Sequence, residues 1–99
     1  MAYEIIYKKR FVNKLIKLLN YLEIHWDKEI AVEFLNKLDK RIETLKTQPF
    51  IGKQSASKPE IRTILITKHN RLYYKITQKA IIIVNMYDTR KDPEKNIYE

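Results

Sequence analysis

The chain has 99 residues, 44% of them apolar, which suits one domain with a modest core and argues against disorder. With no cysteine and two histidines it has no disulfide or thiolate chemistry and too few ligands for a closed zinc site. The formal charge is +8, and no apolar run approaches the ~20 residues that span a bilayer, so the partners expected are anionic and no membrane is among them.

Tyr3–Tyr7 is a short β-rich run, expected to pair along one edge of a later sheet and make it four-stranded. No apolar segment of signal-peptide length follows the first residues, which places the chain in the cytoplasm. After Lys8, Lys9 and Arg10 a helical pattern begins. Phe11, Leu15, Leu18, Leu19 and Leu22 recur at spacings of three and four, Val12 and Ile16 widen the stripe, and Lys14 and Lys17 fall on the opposite face. This helix is expected to end near Glu23–His25. Asp27 then offers an N-cap carboxylate for a second helix, whose stripe is Ile30, Phe34, Leu38, Ile42 and Leu45. Glu33 and Lys37 form an i,i+4 pair on its outer face. Pro49 marks its end, because the residue before a proline is pushed out of the α region. Two amphipathic helices joined this tightly form an antiparallel hairpin.

Residues 50–60 read as a loop holding the one glycine, Gly52, at a backbone position that other residues avoid. The stretch from Ile61 to Arg90 then organises the chain. Its apolar runs, Ile61–Thr67, Leu72–Thr77 and Ala80–Tyr87, are separated by His69-Asn70 and Gln78-Lys79 and read as a three-strand antiparallel meander. In the middle strand Leu72, Tyr74 and Ile76 point to a core, while Arg71, Tyr73 and Lys75 point to water or a ligand. Ile81–Val84 read as buried on both faces, so the third strand is central. The fold class is α+β: an N-terminal strand, a helical hairpin, then the meander, with the hairpin on one face of a twisted sheet in a single domain spanning residues 1–99.

Charge concentrates on that sheet. From Lys53 to Lys79 there are seven cations and one acid, Glu60. Arg62, Arg71 and Arg90 bind phosphate bidentately and keep their charge. In a meander Arg62 and Arg90 lie toward opposite ends, so they are not required to be neighbours. Arg71 shares its face with Tyr73 and Lys75, the interleaving of cations and aromatics that grips a backbone and stacks a base. A solvated face with ion pairs explains the same residues, with Asp88 and Asp92 each placed to pair with Arg90. His69, beside Lys68 in a turn, suits acid–base work or plain exposure. Lys53 and Lys58 suit phosphate binding or solubility, and Tyr98 suits base stacking or loose packing. P-loop, dinucleotide-binding and nucleophile-elbow motifs are absent, and no cofactor or metal is expected.

Taken in order, Pro49-Phe50-Ile51-Gly52-Lys53, Pro59-x-Ile61-Arg62, Arg71-Leu72-Tyr73-Tyr74 and Met86-Tyr87-Asp88-Thr89-Arg90-x-Asp92-Pro93 form a pattern. It resembles the RelE/ParE superfamily of bacterial type II toxins, in particular the plasmid-stabilisation branch. The resemblance runs from Tyr3 to Pro93 and implies a helical hairpin on an antiparallel sheet. It also implies a toxin neutralised by a cognate antitoxin, with room for a homodimer inside that complex. RelE-like members cleave mRNA on the ribosome; ParE-like members act on DNA gyrase. For a nuclease the resemblance implies Arg62 and Arg90 as the pair that stabilises the developing charge, and Lys53, Lys68 or His69 would supply proton transfer. Lys58, Lys68, Arg71, Tyr73, Lys75 and Tyr98 would then hold the nucleic acid or other target. The Pro-x-x-Gly-Lys turn and the Asp-Thr-Arg-x-Asp-Pro ending lie closer to the ParE side. A basic nucleic-acid-binding module without toxicity is the alternative.

Overall fold

The computed structural model describes residues 3–90. Strand β1 (Glu4–Tyr7) leads into helices α1 (Lys9–His25) and α2 (Lys28–Thr47). A 3-10 turn at Pro49–Ile51 precedes β2 (Lys53–Gln54), β3 (Ile61–Thr67), β4 (Asn70–Ile76) and β5 (Ala80–Asp88). The sheet order is β1-β5-β4-β3-β2. β3, β4 and β5 form the antiparallel meander; β5 is an interior strand between β1 and β4, while β4 is the middle strand of the sheet, not β5 as expected.

Two further features differ from the sequence reading. The sheet has five strands, because β2 pairs antiparallel with β3 inside what reads as loop. The β1–β5 pair is parallel, since the whole hairpin and meander intervene before β5 returns beside it. The hairpin itself follows the sequence, except that Ile30, the first residue of the α2 stripe, is exposed and Ala31 is buried beside it. Asp27 accepts the Ile30 N–H at 3.0 Å, Lys37 lies 3.7 Å from Glu33, and α2 ends one residue before Gln48 and Pro49.

The helices cover one face only. Phe11, Phe34, Leu38, Ile42 and Leu45 pack against Ile66, Leu72, Tyr74, Ile81, Ile83 and Met86. Burial of this apolar set is the main term holding hairpin to sheet. Ile16 departs from its stripe and is 51% exposed, because α1 turns that flank away from the sheet. On the opposite face Tyr73 packs with Ile61, Val84 and Tyr87, and it is 1% exposed. The expectation that its ring would be presented to solvent is therefore corrected. Its neighbours give the reason: Tyr87 meets the ring edge-on at 5.8 Å, so a second, small cluster forms where alternation alone promised an open face.

A bulge contributes to that cluster. Tyr73 pairs with Asn85 and Tyr74 with Ile83, which leaves Val84 as an extra residue on β5. The shift keeps Ile81, Ile83 and Met86 all on the helix side despite their uneven spacing. Both Asn85 Nδ2 and Thr63 Oγ1 are buried without a partner, on either side of Tyr73 in one cross-strand row.

Gly52 has φ −72° and ψ 149°, ordinary extended backbone, so its role is not the unusual dihedral expected. Space is the reason. A Cβ there would run into the Tyr74 hydroxyl and lie 2.8 Å from its Cε1. The hydroxyl accepts the Gly52 N–H at 2.9 Å and donates to the Pro49 carbonyl at 2.7 Å. One buried phenol thus ties the end of the hairpin to the sheet.

Burial raises the pKa of Tyr74 above its ordinary 10.0, against the lowering by the Gly52 N–H and Arg62. Tyr7 is raised as well, by burial first and then by Asp39. In the unfolded chain these phenols ionise first. Their contribution to stability is complete below pH 10 and is lost as the pH climbs from there through the folded values. Thermal melts should fall steadily as the pH climbs past about 10, and Tyr74→Phe should make the fall shallower. An unchanged slope in the variant would remove Tyr74 from the explanation.

Candidate target-binding surface

The sheet face away from the helices carries the charge. Across it run three cross-strand rows: Ile61, Lys75 and Ile82; Lys53, Thr63, Tyr73 and Asn85; Leu65, Arg71 and Tyr87. Lys75 is exposed at one end of this face, Lys53 is exposed on β2 in the middle row, and Arg71 is half-buried near the other end. Lys58, half-buried, sits in the connection that closes back on β3 through its carbonyl to the Ile61 N–H at 2.8 Å. Lys53, Lys75 and Arg71 share one surface, with Tyr73 as its buried centre rather than an exposed stacking ring.

Arg62 lies on the other face. Its position in β3 pairs with Tyr74, on the helix side. Its guanidinium donates to the Gly52 carbonyl at 2.7 Å and the Phe50 carbonyl at 3.3 Å, and stacks over the Phe50 ring at 5.2 Å. It is a clamp on the 3-10 turn.

Arg90 is at the far end of the sheet. Its Nε and Nη2 donate to the two oxygens of Asp88 at 3.0 and 2.8 Å, so that carboxylate already fills its fork. The hydrogen bond to Asp88 raises its pKa further. Arg62 shares a row with Tyr74, and Asp88 shares one with Asn70, four positions along β4. At ~3.3 Å per residue those two rows are about 13 Å apart along the sheet, and Arg90 lies beyond the second.

Lys68 and His69 belong to the Arg90 end. Thr89 donates to the His69 carbonyl at 2.8 Å through its N–H and to the Lys68 carbonyl at 3.2 Å through its hydroxyl. Thr67 Oγ1 accepts from the His69 N–H and the Asn70 amide, which builds the turn. The residues named for catalysis therefore divide, with Arg62 and Lys53 in rows one position apart along β3 and His69 and Arg90 at the far end. Tyr98 and Asp92 lie outside the described residues. Among those residues no group of three or more metal-ligating side chains occurs.

Sequence reasoning missed three residues that frame the surface. Lys14, expected on a solvent face of α1, donates to the Met86 carbonyl at 3.2 Å and lies 3.5 Å from the Tyr87 ring centroid. Its long apolar stem reaches around the helix while the ammonium finds the strand edge. Arg41 of α2 donates to the Leu65 carbonyl at 2.9 Å on β3. Asn85 Oδ1 accepts the Met86 N–H at 2.9 Å. Together they occupy edge positions of β3 and β5 that a foreign strand would otherwise use. Helical spacing carries no signal for such reaches.

A model of the ParE toxin of the type II toxin-antitoxin system parDE matches residues 5–93. The chain belongs to the ParE toxin family. Solved structures of similar fold agree with the architecture of this ParE-family chain. A chain of the chromosomal ParDE system from P. aeruginosa aligns at TM-score 0.74 and 11% identity, covering 88% of this chain and 96% of that one. A chain of the E. coli DinJ-YafQ toxin-antitoxin complex aligns at TM-score 0.59 and 20% identity, covering 89% and 93%. A chain of the YoeB dimer from Staphylococcus aureus aligns at 0.53 and 18%, covering 92% and 100%. No curated protein matches the sequence. The ParE-family chain is thus a type II toxin of the RelE/ParE superfamily, with the strand, hairpin and meander that the sequence resemblance implied.

Proposed function

We propose that this toxin arrests growth by docking on a protein, DNA gyrase, through the charged sheet face, and that it performs no RNA cleavage. One observation carries the reading. Arg62 is engaged with the carbonyls of Phe50 and Gly52, and four positions along β4 separate its row from the one beside Arg90 and His69. General acid–base catalysis needs its groups within hydrogen-bond reach of the same reacting atoms. Docking needs only a shaped, charged surface, which Lys53, Lys75 and Arg71 supply. Membership of the ParE family supports the same choice.

A cognate antitoxin neutralises the toxin in this reading. An acidic segment that folds on binding suits both the basic sheet face and the exposed apolar side chains of the hairpin, Tyr21, Ile24, Trp26 and Val32. The cytoplasm, where gyrase and antitoxin both occur, is the site of action.

The test is expression without the antitoxin. Growth should stop, plasmids should lose negative supercoiling, and total mRNA should stay intact. His69→Ala should keep full toxicity, because its place in the turn is held by its backbone. Cleaved mRNA, with toxicity lost in His69→Ala, would replace this reading with the nuclease. Unimpeded growth together with nucleic-acid binding in a gel shift would favour the basic binding module.

A further inference from the structure

Three of the sheet's edge segments are guarded and one is not. Arg41 takes the β3 carbonyl at Leu65, Lys14 and Asn85 take the β5 positions at Met86, and β2 has two residues. β1 has β5 on one side only. Glu4 and Lys8 send their N–H groups to Lys79 and Ile83 on that side, so the alternate residues, Ile5 and Tyr7, turn theirs outward. Tyr3, also outward, is already bonded to the Lys46 carbonyl at 3.1 Å, which ends the free edge there. Ile6 is 43% exposed and Tyr7 46%. Lys8 keeps extended backbone, φ −70° and ψ 144°, before the helix begins.

We propose that β1 is a self-association edge, on which a second copy of this chain pairs antiparallel about a two-fold axis through Ile6. The register follows from the free groups. Centred on Ile6, Ile5 faces Tyr7 of the second copy, and both turn N–H and C=O toward each other, giving about four interstrand hydrogen bonds. Centring on Ile5 would require the Tyr3 N–H, which Lys46 holds. Centring on Tyr7 would require Lys9, which is helical. Centring between residues sets outward groups against inward ones.

The Ile6 register is also the one that matches charge. Glu4 then faces Lys8 of the second copy, twice by symmetry, and Ile6 faces itself. Neither Glu4 nor Lys8 has an ion-pair partner among the described residues. The two sheets join edge to edge, and the cation-bearing faces of both copies lie on the same side. An interface this small makes a weak, reversible dimer. The inference does not depend on which target the toxin binds.

The chain has no native cysteine, so crosslinking reads the register directly. In a non-hydrogen-bonded antiparallel pair the facing Cα atoms are ~4.5 Å apart, within the ~4.4–6.8 Å that a disulfide spans. Ile6→Cys should oxidise to a covalent dimer. Glu4→Cys should stay monomeric, its two copies being about 14 Å apart. In sedimentation equilibrium Glu4→Lys should weaken the dimer about tenfold, and Glu4→Lys with Lys8→Glu should restore it. A wild-type chain that stays monomeric at about 1 mM, equal crosslinking of the two cysteine variants, or a double variant no better than the single one would overturn the proposal.

Discussion

Gly52→Ala is expected to cost about 3 kcal/mol of stability, from overpacking together with the loss of buried hydrogen bonds. The new methyl has nowhere to go. Tyr74 is fully buried, and its hydroxyl, Cε1 and Cζ all crowd the site a Cβ would take. Moving the ring out would break the bond from the Gly52 N–H and the bond to the Pro49 carbonyl together. It would also disturb the Gly52 carbonyl that Arg62 holds. For a domain of this size the melting temperature should fall by roughly 15 °C. Adding Tyr74→Phe should cost less than the sum of the two single changes, because the hydroxyl is both the obstacle and the bond being lost. A Gly52→Ala chain that melts within a few degrees of the parent would show that the 3-10 turn can move aside, and that the phenol is not its anchor.

The second large effect is on toxicity. Lys53→Glu with Lys75→Glu reverses two exposed charges in neighbouring rows of the sheet face. Exposed substitutions of this kind change stability within about 0.5 kcal/mol, so the fold should survive. Reversing rim charges slows encounter with an oppositely charged partner and sets like charges against it. The inducer concentration that arrests growth should rise at least tenfold, by about 1.4 kcal/mol of lost target affinity. Circular dichroism and thermal melts on the same variant separate lost binding from lost folding. Full potency in a folded variant would move the docking surface elsewhere, with the apolar end of the hairpin around Ile24 and Trp26 next in line.

Much of the fold was legible in the sequence because it rests on periodicity. Phe34, Leu38, Ile42 and Leu45 fall on one helical stripe and are all buried, and Asp27 caps where an Asx residue before an apolar run should cap. The meander followed from β-branched runs and short polar breaks. What escaped depended on contacts between distant residues. Val84 as a bulge, Tyr73 as a buried ring and Gly52 as a packing glycine each answer to a partner on another strand. The parallel placement of β1 escaped for the same reason, because local pattern carries no pairing direction.

The site was legible as composition and much less as geometry. Lys53, Lys75 and Arg71 do share a face, as alternation and strand order imply. Arg62 and Arg90 are the same residue type with different work: one clamps two carbonyls, the other closes on its own Asp88. Nothing in residue type separates a guanidinium held by the fold from one left for a ligand. Lys14 and Arg41 make the converse point, since helical spacing assigns them to solvent while their length takes them to strand edges.

The most direct measurement is DNA supercoiling by purified gyrase with the purified toxin added, parent beside Lys53→Glu/Lys75→Glu. The parent should inhibit supercoiling in proportion to its concentration, and the variant should need at least ten times more. Undiminished supercoiling at saturating parent toxin, or equal inhibition by both proteins, would contradict the assignment of this sheet face as the surface that engages the target.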